Sequence, residues 1–529
     1  MDFRNYEEFQ TDSDKITVIM IVFILYSALI VGLGLYVKYA ETRGLSEKDK
    51  LKSFLTGGGS LGPISIGLIT CTNLMSSGVM IGEPGLSYGS AGLIWGITCC
   101  STFMSAWYLF GSSGKKIAVI KQRTGMDSFI QILRMRYNSK TLAMIIGTAI
   151  SFFLLANSIS QFTGGAKLFA VMSGTYNYNL GLVIFAAVTI IYTISGGVKS
   201  LARVAIVQGV LMVTAVLFLY FGTMAKVTDQ YGSLEEGMRF VAENNPKLVT
   251  PYTWTFLNSL GTAFAMGFTS ACLPNGVIST LTYNKSKALA RGIMVSIIVY
   301  TLIQTAINSV GVLGYAYVQN LPNGDYVNPF LASAVLPGSL GGIVLSGSAA
   351  AIQSTAASFM LIIATTIMKD IYKDVFRPDL SDKKTSRLIT WLTIGTGIIA
   401  IIGAMFPMDF MQLLNTFSNG GILCGVWAPL MFGLHWKKAT PKGAICACIF
   451  GALTYLSCYL LQISEATKDM YAAVTGNCHP SIIGLAVSCI FMVAVSLATQ
   501  KNKVEKGVFE VWFGKTYNSE YAKILSDKT

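Results

Sequence analysis

The sequence predicts an all-α polytopic membrane protein of about 13 transmembrane helices. Three observations carry that prediction. Hydrophobic residues make up 53% of the 529 positions and charged residues only 12%, more apolar surface than a soluble core hides. Apolar stretches long enough to cross a bilayer recur along the whole chain. Basic residues fall in short runs between those stretches, as positive-inside loops do. The formal charge of +13 therefore does not point to nucleic acid.

Taken in order, the spans lie near 16–37, 62–88, 90–111, 141–173, 179–195, 201–224, 253–282, 289–318, 341–368, 388–406, 408–433, 441–463 and 481–499. The segment before the first, MDFRNYEEFQTDSDK, is acidic, so that span does not resemble a cleavable signal peptide. With the N-terminus outside, the inner segments from Lys38 onward hold 32 of the 39 lysines and arginines and the outer ones six. That asymmetry orients the chain with its N-terminus outside and C-terminus inside. Ten cysteines are scattered singly or in apolar segments, with only Cys478 in an expected outer loop, which implies no disulfide framework. His435 and His479 lie too far apart to suggest a metal site.

Two segments read as broken helices. The second span carries Leu74-Met75-Ser76-Ser77-Gly78 and Gly82-Glu83-Pro84-Gly85, and the seventh carries Gly267 and Leu273-Pro274-Asn275-Gly276. Glycine and proline free backbone carbonyls, which a membrane tolerates where they line a cavity; plain packing kinks are the other reading. If spans two to six and seven to eleven are five-helix repeats, both breaks fall in a first helix. An odd number of helices per repeat inverts the second copy, which is an inverted-repeat transporter plan. The expected organisation is an external segment 1–15, an extra helix 16–37, repeats at 62–224 and 253–433, two peripheral helices within 441–499, and a cytoplasmic tail 500–529.

The apolar stretch from Ser348 to Tyr372 carries clustered hydroxyls. On a helix Ala351, Ser354, Thr355 and Ser358 share one face. Such hydroxyls either bond back to their own helix or let helices approach, or they coordinate an ion. Carbonyls freed near Met75 together with Ser354 and Thr355 make an all-oxygen site without a full carboxylate, which suits sodium better than calcium. Two charges lie within spans, Glu83 and Lys167. Either they pair or snorkel, or they handle substrate or protons.

At these residues the chain resembles the sodium:solute symporter family, most closely its sodium/pantothenate symporters. The matching stretches include AAAIQSTAASFMLIIATTIMKDIYKDVFRPD, QFTGGAKLF, IYTISGGVKS, LPNGVISTLTYNKSKALARGI and LLNTFSNGGILCGVWAPLMFGLHWKKATPKGA, spread from about residue 20 to 500. The resemblance implies a leucine-transporter-type 5+5 inverted repeat. It implies a sodium site of the backbone carbonyls of Thr72, Met75 and Ala351 and the hydroxyls of Ser354 and Thr355. It also implies a solute cavity at Ser76, Ser77, Gln161, Asn275 and Asn415. Ala205 stands where many members carry an aspartate, and Ala357 where a hydroxyl is frequent, which argues against a second sodium site. Glu83 replaces an uncharged residue and Asn275 a frequent histidine.

The expected function is sodium-coupled secondary active uptake of a small organic solute, pantothenate or a similar carboxylate, by alternating access. Lys167 or a half-helix N-terminus would receive the carboxylate. The alternative is a proton-coupled or uncoupled transporter of a zwitterion or cation with Glu83 in the cavity. An enzyme is not expected, since no catalytic set lies at membrane depth. A sensor is not expected either, since the tail after about residue 500 is short. The implied partners are solute, sodium and lipid bilayer, with no nucleic acid or protein partner indicated. The implied location is the cell membrane, as a multi-pass protein of a bacterial inner membrane.

Overall fold

A computed structural model describes residues 12–42, 75–101, 113–126, 128–250, 254–274, 276, 286–406, 411–500 and 506–514. The described residues form helices and connecting turns, without a strand. In chain order the helices are α1 (Ser13–Thr42), α2 (Glu83–Gly89), α3 (Gly92–Cys100), α4 (Lys115–Thr124), α5 (Phe129–Tyr137) and α6 (Lys140–Met172). Then follow α7 (Tyr178–Tyr231), α8 (Leu234–Asn244), α9 (Phe256–Gly267), α10 (Ser286–Tyr317), α11 (Val327–Ala334) and α12 (Gly338–Thr365). The last are α13 (Asp382–Ala404), α14 (Met411–His435), α15 (Pro441–Ile463), α16 (Lys468–Thr475), α17 (Pro480–Ala498) and α18 (Lys506–Phe513).

Among the described residues nine helical stretches are long and apolar enough to cross a membrane. Two are central: in the spans that contain α12 and α14, 72% and 78% of the most apolar window is buried, against 22–50% in the others. The outer helices turn Ile24, Leu25, Phe221, Ile298, Trp391 and Ile490 outward. An apolar exterior is what a lipid solvent requires. Small residues let the centre close: an added Cβ on Gly347 would press on Ala215, and one on Gly342 on Val22.

One expectation needs correction. The spans read separately at 179–195 and 201–224 form a single continuous helix, α7, of 54 residues. Gly196 and Gly197 cost about 1 kcal/mol each against alanine in a helix, but no proline occurs between Tyr178 and Tyr231 to remove a hydrogen bond. At about 1.5 Å per residue α7 is far longer than one bilayer crossing.

Segments that the charge pattern assigns to one side do pack together. Ser128 Oγ donates to Asp370 Oδ2 (2.7 Å), Gln131 Nε2 to Asp374 Oδ2 (2.7 Å) and Arg134 to the Asp374 carbonyl (2.9 Å). Arg136 donates to the carbonyls of Gly433 (2.7 Å) and Trp436 (3.1 Å), closing the C-terminal end of α14 with positive charge. Arg123 donates to the carbonyls of Val511 and Gly514, and Lys116 lies over the Phe513 ring at 4.6 Å. The opposite set also meets: Lys15 donates to the Ala334 carbonyl (3.2 Å), and Leu321 N–H to the Tyr88 hydroxyl (3.2 Å).

Candidate functional site

Met75 and Ser76 are non-helical, and a helix then begins through a π-helical turn, Gly78–Gly82, closed by Glu83 N–H on the Gly78 carbonyl. The local cause is Pro84. It has no N–H to give the Met80 carbonyl four residues earlier, so that carbonyl loses its α-helical donor. Asn328 Nδ2, on α11, donates to it instead. The second break follows α9, where a 3₁₀ turn, Thr269–Ala271, precedes Pro274. Thr269 Oγ1 reaches the Asn419 carbonyl on α14 at 2.9 Å.

Both breaks open on one cavity. Ser76, Val79 and Glu83 line it from the first, Met266, Ser270 and Leu273 from the second, and Asn157, Tyr300, Thr355, Phe359, Gln412, Asn415 and Asn419 complete the wall. Its volume is about 60 Å³, room for a few water molecules. Close approach of α14 to the first break depends on Gly78, where an added Cβ would overlap Asn415 Nδ2 and Gln412 Oε1. Gly78→Val is therefore expected to destabilise the protein by about 1–3 kcal/mol through overpacking and to cut uptake at unchanged expression. A variant with wild-type thermal stability and uptake would show that α14 yields freely.

Beside the cavity, Thr355 Oγ1 donates to the Met75 carbonyl at 2.8 Å, across 280 positions of sequence. Ser354 Oγ donates to the Ala351 carbonyl at 3.0 Å, and Ser358 Oγ to the Ser354 carbonyl at 2.9 Å. Both readings of the hydroxyl face are thus present: Ser354 and Ser358 bond back to their own helix, while Thr355 crosses to the break. Thr72 lies outside the described residues.

The solute candidates divide. Ser76, Glu83 and Asn415 line the cavity. Ser77 and Gln161 stand behind it, tied together: Ser77 N–H donates to Gln161 Oε1 at 2.8 Å and Ser77 Oγ to the Ser160 carbonyl at 3.2 Å. Gln161 Nε2 in turn donates to Asn157 Oδ1 at 2.9 Å, which positions a cavity residue. Asn275 lies outside the described residues. The option of a Glu83–Lys167 pair is corrected. Lys167 Nζ is 2.6 Å from Asp325 Oδ2, and both side chains are buried. Asp325, in the turn before α11, was hidden from sequence reading because it sits in a polar connection, not an apolar span. Glu83 Oε1 and Oε2 instead accept from Gln304 Nε2 (3.3 Å) and Asn308 Nδ2 (3.2 Å) on α10.

Sequence reasoning missed Asn157, Gln412, Asn419, Gln304 and Asn308. A signal existed: Asn157/Gln161, Gln304/Asn308 and Gln412/Asn415/Asn419 are amides spaced three or four apart inside apolar spans. That spacing puts each set on one helix face, and polar faces at membrane depth turn inward.

Known proteins agree with this architecture. A sodium/pantothenate symporter of Haemophilus influenzae is 28% identical over 446 residues, covering 83% of this chain and 90% of that protein. One of Escherichia coli is 28% identical over 453 residues, covering 84% and 91%. A sodium/proline symporter of Staphylococcus aureus is 25% identical over 506 residues, covering 93% and 94%. Among solved structures, a Na⁺-coupled sialic acid symporter in a substrate-bound outward-open state shares the fold, with a TM-score of 0.69 at 15% identity over 91% of this chain and 98% of that one. The sequence profile of the sodium:solute symporter family matches residues 54–451. The chain therefore belongs to the sodium:solute symporter family, as a multi-pass cell-membrane transporter, not an enzyme, with sodium as its coupling ion.

Proposed function

We propose that the protein carries out sodium-driven uptake of a small organic carboxylate, pantothenate being the first choice, by alternating access. The observation that carries this reading is the contact of Thr355 Oγ1 with the Met75 carbonyl. On sodium binding the Thr355 O–H would rotate away from the Met75 carbonyl, so that both oxygens could face the ion, with Ser354 Oγ and the Ala351 and Thr72 carbonyls completing a neutral oxygen shell. Thr355 also lines the cavity, and Ser76 follows Met75 directly. An ion that orders this corner orders one wall of the solute site, and coupling of this kind is reciprocal.

The full architecture belongs to the same proposal: about 13 helices, repeats at 62–224 and 253–433, N-terminus outside and C-terminus inside. Two matched breaks on one cavity support the inverted repeat. Packing of the basic segment 115–137 against both 369–377 and α18 supports a common inner face. A second reading is favoured by Glu83, a buried carboxylate that forms no salt bridge among the described residues: proton-coupled or uncoupled transport of a zwitterion or cation.

Uptake of labelled pantothenate into proteoliposomes under a sodium gradient, against matched potassium and proton gradients, separates these readings. Accumulation is expected with sodium alone. Equal accumulation with a proton gradient would replace sodium coupling by the second reading.

A further inference from the structure

The cavity has acceptors to spare. Glu83 is fully buried, and each of its oxygens takes one amide N–H from α10, Gln304 on Oε1 and Asn308 on Oε2. These amides are themselves held: Gln304 Nε2 also meets the Tyr300 hydroxyl (2.9 Å), and Asn308 Oδ1 accepts from Ser87 Oγ (3.0 Å). The carboxylate is thus fixed in orientation by neutral groups. The Cys99 thiol is a third hydrogen-bond partner of the carboxylate, which offers about four lone-pair sites, so one remains. Two further buried atoms in the wall lack a partner among the described residues, Asn415 Oδ1 and Asn419 Oδ1, and both are acceptors. Asn415 is only 4% exposed. Buried polar atoms are rarely left unsatisfied, and each costs about 1–3 kcal/mol when they are. The fully buried spare atoms of this wall are acceptors, and an acceptor corner is complementary to a ligand group that donates.

We propose that Glu83, with Asn415 and Asn419, forms the subsite for a donor-bearing end of the solute, a hydroxyl or ammonium group. This rests on the transport reading above and narrows its substrate class: a carboxylate without a donor at its other end is a poor ligand. Lys167, tied to Asp325 and absent from the cavity wall, does not define this end of the site. Charge separates the two donor types. An ammonium pairs with the ionised carboxylate, whereas a hydroxyl needs only an acceptor.

The test is thermal stabilisation of the purified full-length protein at saturating sodium by four probes. Pantothenate carries a diol and a carboxylate, panthenol the same diol with a primary alcohol in place of the carboxylate, proline an ammonium and a carboxylate, and propionate a carboxylate with no donor. Stabilisation by at least one donor-bearing probe, and none by propionate, is expected. In Glu83→Leu the half-saturating concentration of that probe is expected to rise at least about tenfold, while the shift produced by sodium alone persists and reports folding. In Glu83→Gln an ammonium probe is lost as in the leucine variant, but a hydroxyl probe is kept within a few-fold, because the amide oxygen still accepts. Propionate binding as well as the donor-bearing probes, no stabilisation by any donor-bearing probe, or unchanged affinity in Glu83→Leu would each overturn the proposal. Absence of a sodium shift in the wild type would count against the sodium site instead.

Discussion

Replacing Ser354 and Thr355 together by alanine is expected to abolish sodium stimulation of uptake. Thr355 touches the Met75 carbonyl directly, and the hydroxyl of Ser354, the preceding residue, reaches the Ala351 carbonyl. A contact to a charged group is worth about 1.5–3 kcal/mol, so Thr355→Ala alone weakens apparent sodium affinity roughly tenfold or more. Thr355→Ser keeps the oxygen and recovers most of that loss. Ser358→Ala is the control: its hydroxyl bonds back to the Ser354 carbonyl, and such back-bonds are replaceable in a helix. Sodium titration of uptake, with sodium-dependent thermal stability on the same samples, reads all four variants. Sodium-stimulated uptake that survives unchanged in the double variant would remove these residues from the ion site.

Lys167→Met lowers stability by about 3–5 kcal/mol, the usual cost of stripping one partner from a buried ion pair. Asp325 is then left fully buried with its charge, still accepting the Met411 N–H at 3.2 Å but without its cation. The pair joins α6, the turn before α11 and the start of α14, three segments far apart in sequence. Its loss therefore loosens the same end of the bundle at which Asn328 of α11 caps the π turn. Lys167→Met/Asp325→Leu removes both charges and regains most of the stability, since apolar replacement of a whole buried pair is often neutral. Thermal unfolding of the purified variants checks this, and a single variant as stable as the wild type would show that the pair is not structural.

Much of the fold was legible because the bilayer imposes length and apolarity on each span. Helices α1, α6, α10, α12, α13, α14, α15 and α17 overlap expected spans closely. Spans 179–195 and 201–224 were read separately from their hydropathy, yet α7 runs through the stretch between them, because glycine weakens a helix where proline would interrupt it. The breaks at Met75 and Gly267 were also readable, since glycine and proline leave carbonyls that something must satisfy. Asn157, Gln412 and Asn419 passed unnoticed although they stand at helical spacing, because an amide in an apolar span carries no charge to draw attention.

Sequence alone determined the membrane class, the glycine- and proline-marked irregular stretches at Met75 and after Gly267, the hydroxyl face at Ser354 and Thr355, and the cost attached to Glu83 and Lys167. Each is a local property of composition or of period along one helix. The tertiary structure decided the partners: Thr355 with Met75, Lys167 with Asp325 rather than Glu83, and Glu83 with the amides of α10. A buried polar group must be satisfied wherever a partner comes within about 3 Å, and which partner comes that close is set by how helices hundreds of residues apart pack, a distance that no periodicity along the chain encodes.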